Sequence, residues 1–197
     1  MIRKQTGLFF LLAMLVLSLA GCGGLRYSWV APEAKDFHPQ RMGVLPVDVG
    51  SYEEARGSVD QVITGVLVDK KWFTDVVGGD TIARQFVYNE ELRKVVVEYM
   101  SKLKTVNFSD PEQSKKLGEL AKIDAFLVVN IDYWNYTTEE TDKVAKVGMA
   151  MKMIDAATGK ILWKAGHHIS EKYRVFKPEL ASVAKDLVKE MIGYMPH

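Results

Sequence analysis

The chain has 197 residues, 48% of them hydrophobic, with 26 basic and 25 acidic side chains and one cysteine. That length and composition suit one domain that buries its own core. The near-zero net charge of +1 argues against nucleic acid, which wants a basic face, and one cysteine excludes a disulfide framework.

That cysteine, Cys22, ends the string Leu19-Ala20-Gly21-Cys22. Upstream lie Arg3 and Lys4, then an uncharged block from Leu8 to Leu19, then small residues. This is the order of a secretory signal peptide. A transmembrane helix needs about 20 apolar residues. The block from Gly7 to Ala20 has 14, and Gly21, Gly23 and Gly24 interrupt the chain directly after it. Leu-Ala-Gly-Cys resembles a bacterial lipobox. The resemblance implies cleavage before Cys22, a diacylglycerol on its sulfur and an acyl chain on its new amine. Burial of acyl chains contributes about 0.8 kcal/mol per methylene, and two chains already anchor stably. Residues 1–21 are thus expected as signal peptide and 22–197 as the mature chain, with Arg3 and Lys4 gone and 24 basic residues against 25 acidic. Gly23 occupies the position where, in the sorting pattern of such lipoproteins, an Asp retains the protein in the inner membrane. The expectation is an outer-membrane anchor with the domain facing the periplasm.

Residues 22–41 are read as lipidated cysteine and tether, from Gly23, Gly24, Pro32 and Pro39. As a coil, 19 residues reach roughly 25 Å, and fully extended about 60 Å. Tyr27, Trp29, Val30 and Phe37 are apolar for a spacer, so they pack back on the domain or form a contact patch. The domain is expected over 42–197.

Met42 to Asp48 reads as a first strand, with Pro46 marking a sheet edge or a strand end. A helix comes next from about Glu53 to Lys70, with Val59, Val62, Ile63, Val66 and Leu67 on one face. Phe73 to Val77 is a short strand, Gly78-Gly79-Asp80 its turn, and a short helix opens near Asp80. A longer helix from Asn89 to Thr105 carries Leu92, Val95, Val96, Tyr99, Met100 and Leu103 as its stripe. Asp110-Pro111-Glu112 is an N-cap with proline at the first helical position, and that helix runs to about Lys122.

Asp124 to Tyr136 is apolar on both faces and reads as a central strand. Asn135 to Lys143 reads as a short polar connection. Lys143 to Ile154 alternates, with Val147, Met149, Met151 and Met153 on one side. Asp155 to Lys160 is a hairpin turn with Gly159 in a left-handed position. Ile161 to Tyr173 returns, with Trp163 inward beside Ile161 and Ala165, and a helix from Lys177 to Tyr194 closes the chain. The order β-α-β-α-α-α-β-β-β-α implies an α+β domain with helices packed on one mixed sheet.

Met42-Gly43-Val44-Leu45-Pro46, the stretch Leu117 to Leu127, and Met153 to Trp163 together resemble, in that order, a group of Gram-negative envelope lipoproteins. The group includes the curli-secretion lipoprotein, the lipoprotein activator of penicillin-binding proteins, and small lipoproteins of similar length. The resemblance spans roughly 42–192. It implies an anticodon-binding-domain-like mixed sheet and carries no catalytic residues.

Enzyme chemistry needs convergent groups with tuned pKa values. His167 and His168 are adjacent in a strand and point to opposite faces, so they do not share a metal. There is no nucleophile elbow or zinc-ligand helix motif, and Gly78-Gly79 lacks a phosphate-loop pattern. Asn130 and Asp132 share a strand face, and the methionine ladder reads as core filler rather than a soft metal site. No cofactor, metal or catalytic residue is expected. The expected function is a non-enzymatic interaction or assembly module of an envelope complex. Its expected partners are the membrane through Cys22, an unidentified envelope protein, and further copies of itself. The candidate contact residues are Tyr27 and Trp29 in the tether, and Trp134 and Tyr136 near a strand end. Two alternatives stand behind it. A curli-type pore needs strands of about 9 to 11 alternating residues, which the short polar connection disfavours. A regulator of a peptidoglycan synthase needs a tether longer than 19 residues.

Overall fold

The computed structural model describes residues 25–197, so Cys22 and the signal segment lie outside the described residues. The elements in chain order are β1 (Tyr27–Val30), β2 (Arg41–Val44), α1 (Ser58–Lys70), β3 (Asp75–Val77), α2 (Gly79–Gln85), α3 (Glu90–Val106), α4 (Pro111–Ala121), β4 (Ala125–Glu139), β5 (Asp142–Asp155), β6 (Ile161–Tyr173) and α5 (Leu180–Ile192). Short 3-10 turns cover Pro32–Asp36 and Glu53–Ala55. The six strands form one mixed sheet in the order β1-β6-β5-β4-β2-β3. The fold is the expected α+β arrangement, with β1 added at the start.

Helices cover both faces. Trp163, Met149, Met151, Met153, Leu127 and Val129 pack against Ile63 and Leu67 of α1 and Val183, Leu187 and Val188 of α5. Phe126, Val128 and Ile154 pack against Ile82 of α2, Leu92, Val95 and Tyr99 of α3, and Leu117 of α4. β4 therefore sends alternate side chains into two cores, which is why it is apolar on both sides. Each large buried side chain contributes about 1.5–3 kcal/mol.

Local sequence sets the boundaries. Gly57 takes φ 78° and splits the expected Glu53–Lys70 helix into a 3-10 turn and α1. The Asn89 side chain caps α3 by accepting the Leu92 N–H at 2.9 Å. Asp110 caps α4, its Oδ1 accepting from Glu112 and Gln113 at 3.1 and 3.2 Å, and Pro111 needs no donor there. Pro46 stands just past the end of β2, which is an interior strand. Gly159 has φ 70°, and a Cβ there would meet Pro111 Cα at 2.8 Å. The Ser109 hydroxyl donates to the Gly159 carbonyl at 2.5 Å and ties the hairpin turn to α4.

The sheet differs from expectation in three places. Of the segment read as tether, Tyr27–Val30 is an antiparallel edge strand on β6, and Phe37 packs on the core. The expected connection from Asn135 to Lys143 is mostly strand: β4 runs to Glu139, β5 starts at Asp142, and Glu140 turns with φ 54°. These strands have 15 and 14 residues, so hairpin length does not disfavour a pore. They are built into the sheet between β2 and β6. Third, a register shift between Met153 and Ile154 sends Ile161 to the α3–α4 side, away from Trp163 and Ala165. Trp163 is fully buried. Among the described residues, no helix is long and apolar enough to cross a membrane.

Candidate interaction surface

The α2–α4 layer covers only the part of the sheet near β2, β3 and the paired ends of β4 and β5. Beyond it, the same face continues over β4, β5, β6 and β1. Register places the side chains. Tyr27 pairs with Gly166 and Trp29 with Lys164; Gly166 pairs with Ala150, and His168 with Gly148. Tyr133 also pairs with Gly148. Since Trp163, Ala165, Met149 and Met151 face α5, their strand neighbours face outward here.

The floor is small: Gly148, Ala150 and Gly166. A Cβ at Gly166 would collide with the Tyr27 ring, reaching its Cζ at 2.5 Å and Oη at 2.8 Å. One at Gly148 would meet Tyr133 Cδ2 at 2.6 Å and His168 Cβ at 2.9 Å. The glycines let aromatic rings lie flat across neighbouring strands, as aromatic side chains do over sheet glycines. Lysines stand over the rings: Lys164 Nζ is 5.1 Å from the Trp29 centroid and Lys146 Nζ 4.4 Å from Tyr133. Such contacts contribute about 0.5–1 kcal/mol at exposed sites.

Toward the hairpin tip, Lys146 Nζ also reaches Glu139 at 2.7 Å, and the Ser170 hydroxyl donates to the same carboxylate at 3.3 Å. The Lys146 ammonium holds Glu139 below the ordinary carboxylate value. An acid so held is a poor base for Ser170. Burial, and then the Lys146 charge, hold His168 below the ordinary imidazole value, so it is neutral at neutral pH. Burial raises Tyr27, with Asp132 adding to the effect, so its hydroxyl stays protonated. Burial also lowers Lys152. The arrangement offers rings, hydroxyls and ammonium groups for contact, with its carboxylate already paired.

Of the four candidate contacts, Tyr27 and Trp29 lie on this face, 47% and 46% exposed. Trp134 does not: it is 3% exposed and packs in the α1–α5 core. The cause is a register shift between Ile131 and Tyr133, which reverses the alternation of β4 and turns Trp134 inward. Tyr136 is 39% exposed on the α5 side, donating to the Pro178 carbonyl at 2.8 Å. His167 and His168 do part: His167 Nε2 lies 3.8 Å from Glu190 of α5, while His168 sits edge-on to Tyr133, centroids 6.0 Å apart. Asn130 is half-buried and Asp132 exposed beside the shift. Lys164, Lys146 and Gly166 do not stand out in the sequence as contact residues. The run Lys164-x-Gly166-x-His168-x-Ser170, opposite the Trp163 face, is the signal that carries them.

No family model matches the chain, and no curated protein does. Solved structures do. The "PelC dodecamer from Paraburkholderia phytofirmans" matches with a TM-score of 0.57 at 14% identity, over 86% of this chain and 95% of that one. "Lipoprotein GNA1162 from Neisseria meningitidis" matches with a TM-score of 0.53 at 16% identity, over 76% of this chain and 95% of that one. At these identities the likeness is one of fold.

Proposed function

We propose that this chain is a lipid-anchored lipoprotein of a bacterial outer membrane, tethered through Cys22, whose domain works by contact as an interaction or assembly module of an envelope complex. The observation that carries the reading is the half-sheet that no helix among the described residues covers. Rings and lysines lie over a floor of glycine and alanine, beside a four-residue edge strand with all its side chains exposed. Tyrosine and tryptophan are enriched where proteins meet. An edge strand also offers unpaired backbone groups to a further strand.

The lipobox supports the anchor, as does fold likeness to the Neisseria meningitidis lipoprotein. Likeness to a protein solved as a dodecamer supports copies of this chain as one class of partner. Metabolic labelling with a palmitate analogue tests the anchor. The native chain should incorporate label and band with outer-membrane markers on a sucrose gradient. Cys22→Ser should abolish the label, and a labelled Cys22→Ser chain would place the lipid elsewhere and remove the reading.

A further inference from the structure

The loop from Arg174 to Pro178, with Glu179 as the helix N-cap, joins β6 to α5. It carries two large apolar side chains with little cover: Val175 is 80% exposed and Phe176 87%. Lys172, Arg174 and Lys177 bracket them. The root of the loop is structured. Lys172 pairs with Asp142 at 2.6 Å. Lys177 Nζ lies 4.7 Å from the Tyr136 ring, whose hydroxyl bonds the Pro178 carbonyl. Tyr136 and Tyr173 meet edge to face, centroids 5.9 Å apart. The neighbouring hairpin tip is acidic: Glu139 and Asp142 are paired with Lys146 and Lys172, while Glu140 at the turn is exposed and makes no ion pair among the described residues.

A single exposed Phe would need no explanation. Here an apolar tip, flanking cations and tyrosines at the base succeed one another along a short loop. That is the layering a bilayer interface favours: apolar groups at the acyl boundary, aromatic hydroxyls and cations among the headgroups.

The direction of the chain points the same way. β1 is antiparallel to β6, with Val30 opposite Trp163 and Tyr27 opposite Gly166. Moving upstream along β1 is therefore moving toward Tyr173 and this loop. Arg26 continues the trend, its N–H donating to His167 Nδ1 at 3.2 Å. Leu25 lies three residues after Cys22, a reach of about 10 Å. Gly166 to Tyr173 spans about 23 Å in the same direction. The reach from Leu25 lets a lipid on Cys22 lie at the same end of the sheet as the Val175–Phe176 tip.

We propose that Val175 and Phe176 seat in the headgroup–acyl boundary of the membrane that holds Cys22, with Arg174 and Lys177 on anionic headgroups. The loop is a second contact that fixes how the domain stands on its anchor. This rests on the reading of Cys22 as the lipid site.

The test uses the full lipidated chain in vesicles of phosphatidylethanolamine and phosphatidylglycerol. With Cys22 acylated, Val175→Cys supplies one free thiol for an environment-sensitive fluorophore. Ala157→Cys, in the exposed β5–β6 turn at the other end of the sheet, is the control. Quenching by spin-labelled lipid should be severalfold stronger at 175 than at 157. Phe176→Glu or Arg174→Glu should reduce it severalfold. A chain that carries its lipid label but quenches equally at both positions overturns the inference and leaves the anchor standing. The loop would then face solvent or a protein. A chain with no lipid on Cys22 overturns the anchor and the inference with it.

Discussion

Trp163 occupies a volume in the α1–α5 core that no smaller side chain fills, and none of its surface reaches solvent. Trp163→Ala should cost about 3 to 5 kcal/mol, the range for emptying a large aromatic site. Its indole N–H has no hydrogen-bond partner among the described residues. Trp163→Phe loses no bond and should therefore cost much less than the alanine change. Denaturant midpoints for the two variants check both statements. Asp60 poses a different problem. It sits in the first turn of α1, 8% exposed, with Oδ1 unpartnered. Burial raises its carboxyl above the ordinary value of 3.8, the charge of Asp80 adds to the rise, and nearby backbone N–H groups oppose it. The folded state therefore prefers the protonated acid. The stability from this site is fully present below the unfolded value and is lost as pH rises through the folded one. Asp60→Asn should be more stable than the native chain at neutral pH and should flatten the acid-to-neutral profile. Melting temperatures across that range read it, and a variant weaker at neutral pH would show that the nearby backbone N–H groups favour the carboxylate more than burial disfavours it.

At the scale of elements, β1 is the weak point of the sheet. It is four residues long, holds only β6, and leaves every side chain exposed. Its amides should exchange faster than those of β5, which is paired on both sides. Gly166→Ala should drive the Tyr27 ring off the sheet and release β1 while the rest of the fold stays. Hydrogen exchange resolved by peptide checks this: protection lost over Tyr27–Val30 alone is the expected result. The same strand shows what the sequence can and cannot carry. Helices α1, α3, α4 and α5 are legible because their stripes recur at helical spacing and their caps are local, as at Asn89 and Asp110. β1 is not, because Tyr-Ser-Trp-Val between glycines and Pro32 has no period of its own, and its partner lies far along the chain at Gly166. The upper part of the β4–β5 hairpin is illegible for a related reason. Asn135, Thr137, Thr138 and Glu139 look like loop, yet cross-strand pairing with Lys146, Val144, Lys143 and Asp142 keeps them extended. The sequence misplaces Trp134 because one shift at Asp132 reverses the alternation, and nothing local marks it.

For the whole molecule, two ends and one face have separate jobs. The β5–β6 turn end is tied down by Ser109 and Pro111. The opposite end carries the Arg174–Pro178 loop and is the end toward which β1 runs when traced upstream to Leu25. The face between them, over β1, β6, β5 and β4, is covered by no helix among the described residues. Tyr27 and Trp29 are legible there as aromatic residues too apolar for a spacer; the glycine floor and lysines become visible only once register is fixed. A photo-reactive amino acid in place of Trp29, in the lipidated chain within intact membranes, tests the contact role of this face most directly. The same probe at Lys185, exposed on α5, is the control. Discrete crosslinked bands are expected from position 29, at multiples of the chain's own mass or with one envelope protein, and none from 185. A position-29 probe that yields no adduct beyond the control would contradict a contact role for the uncovered half-sheet.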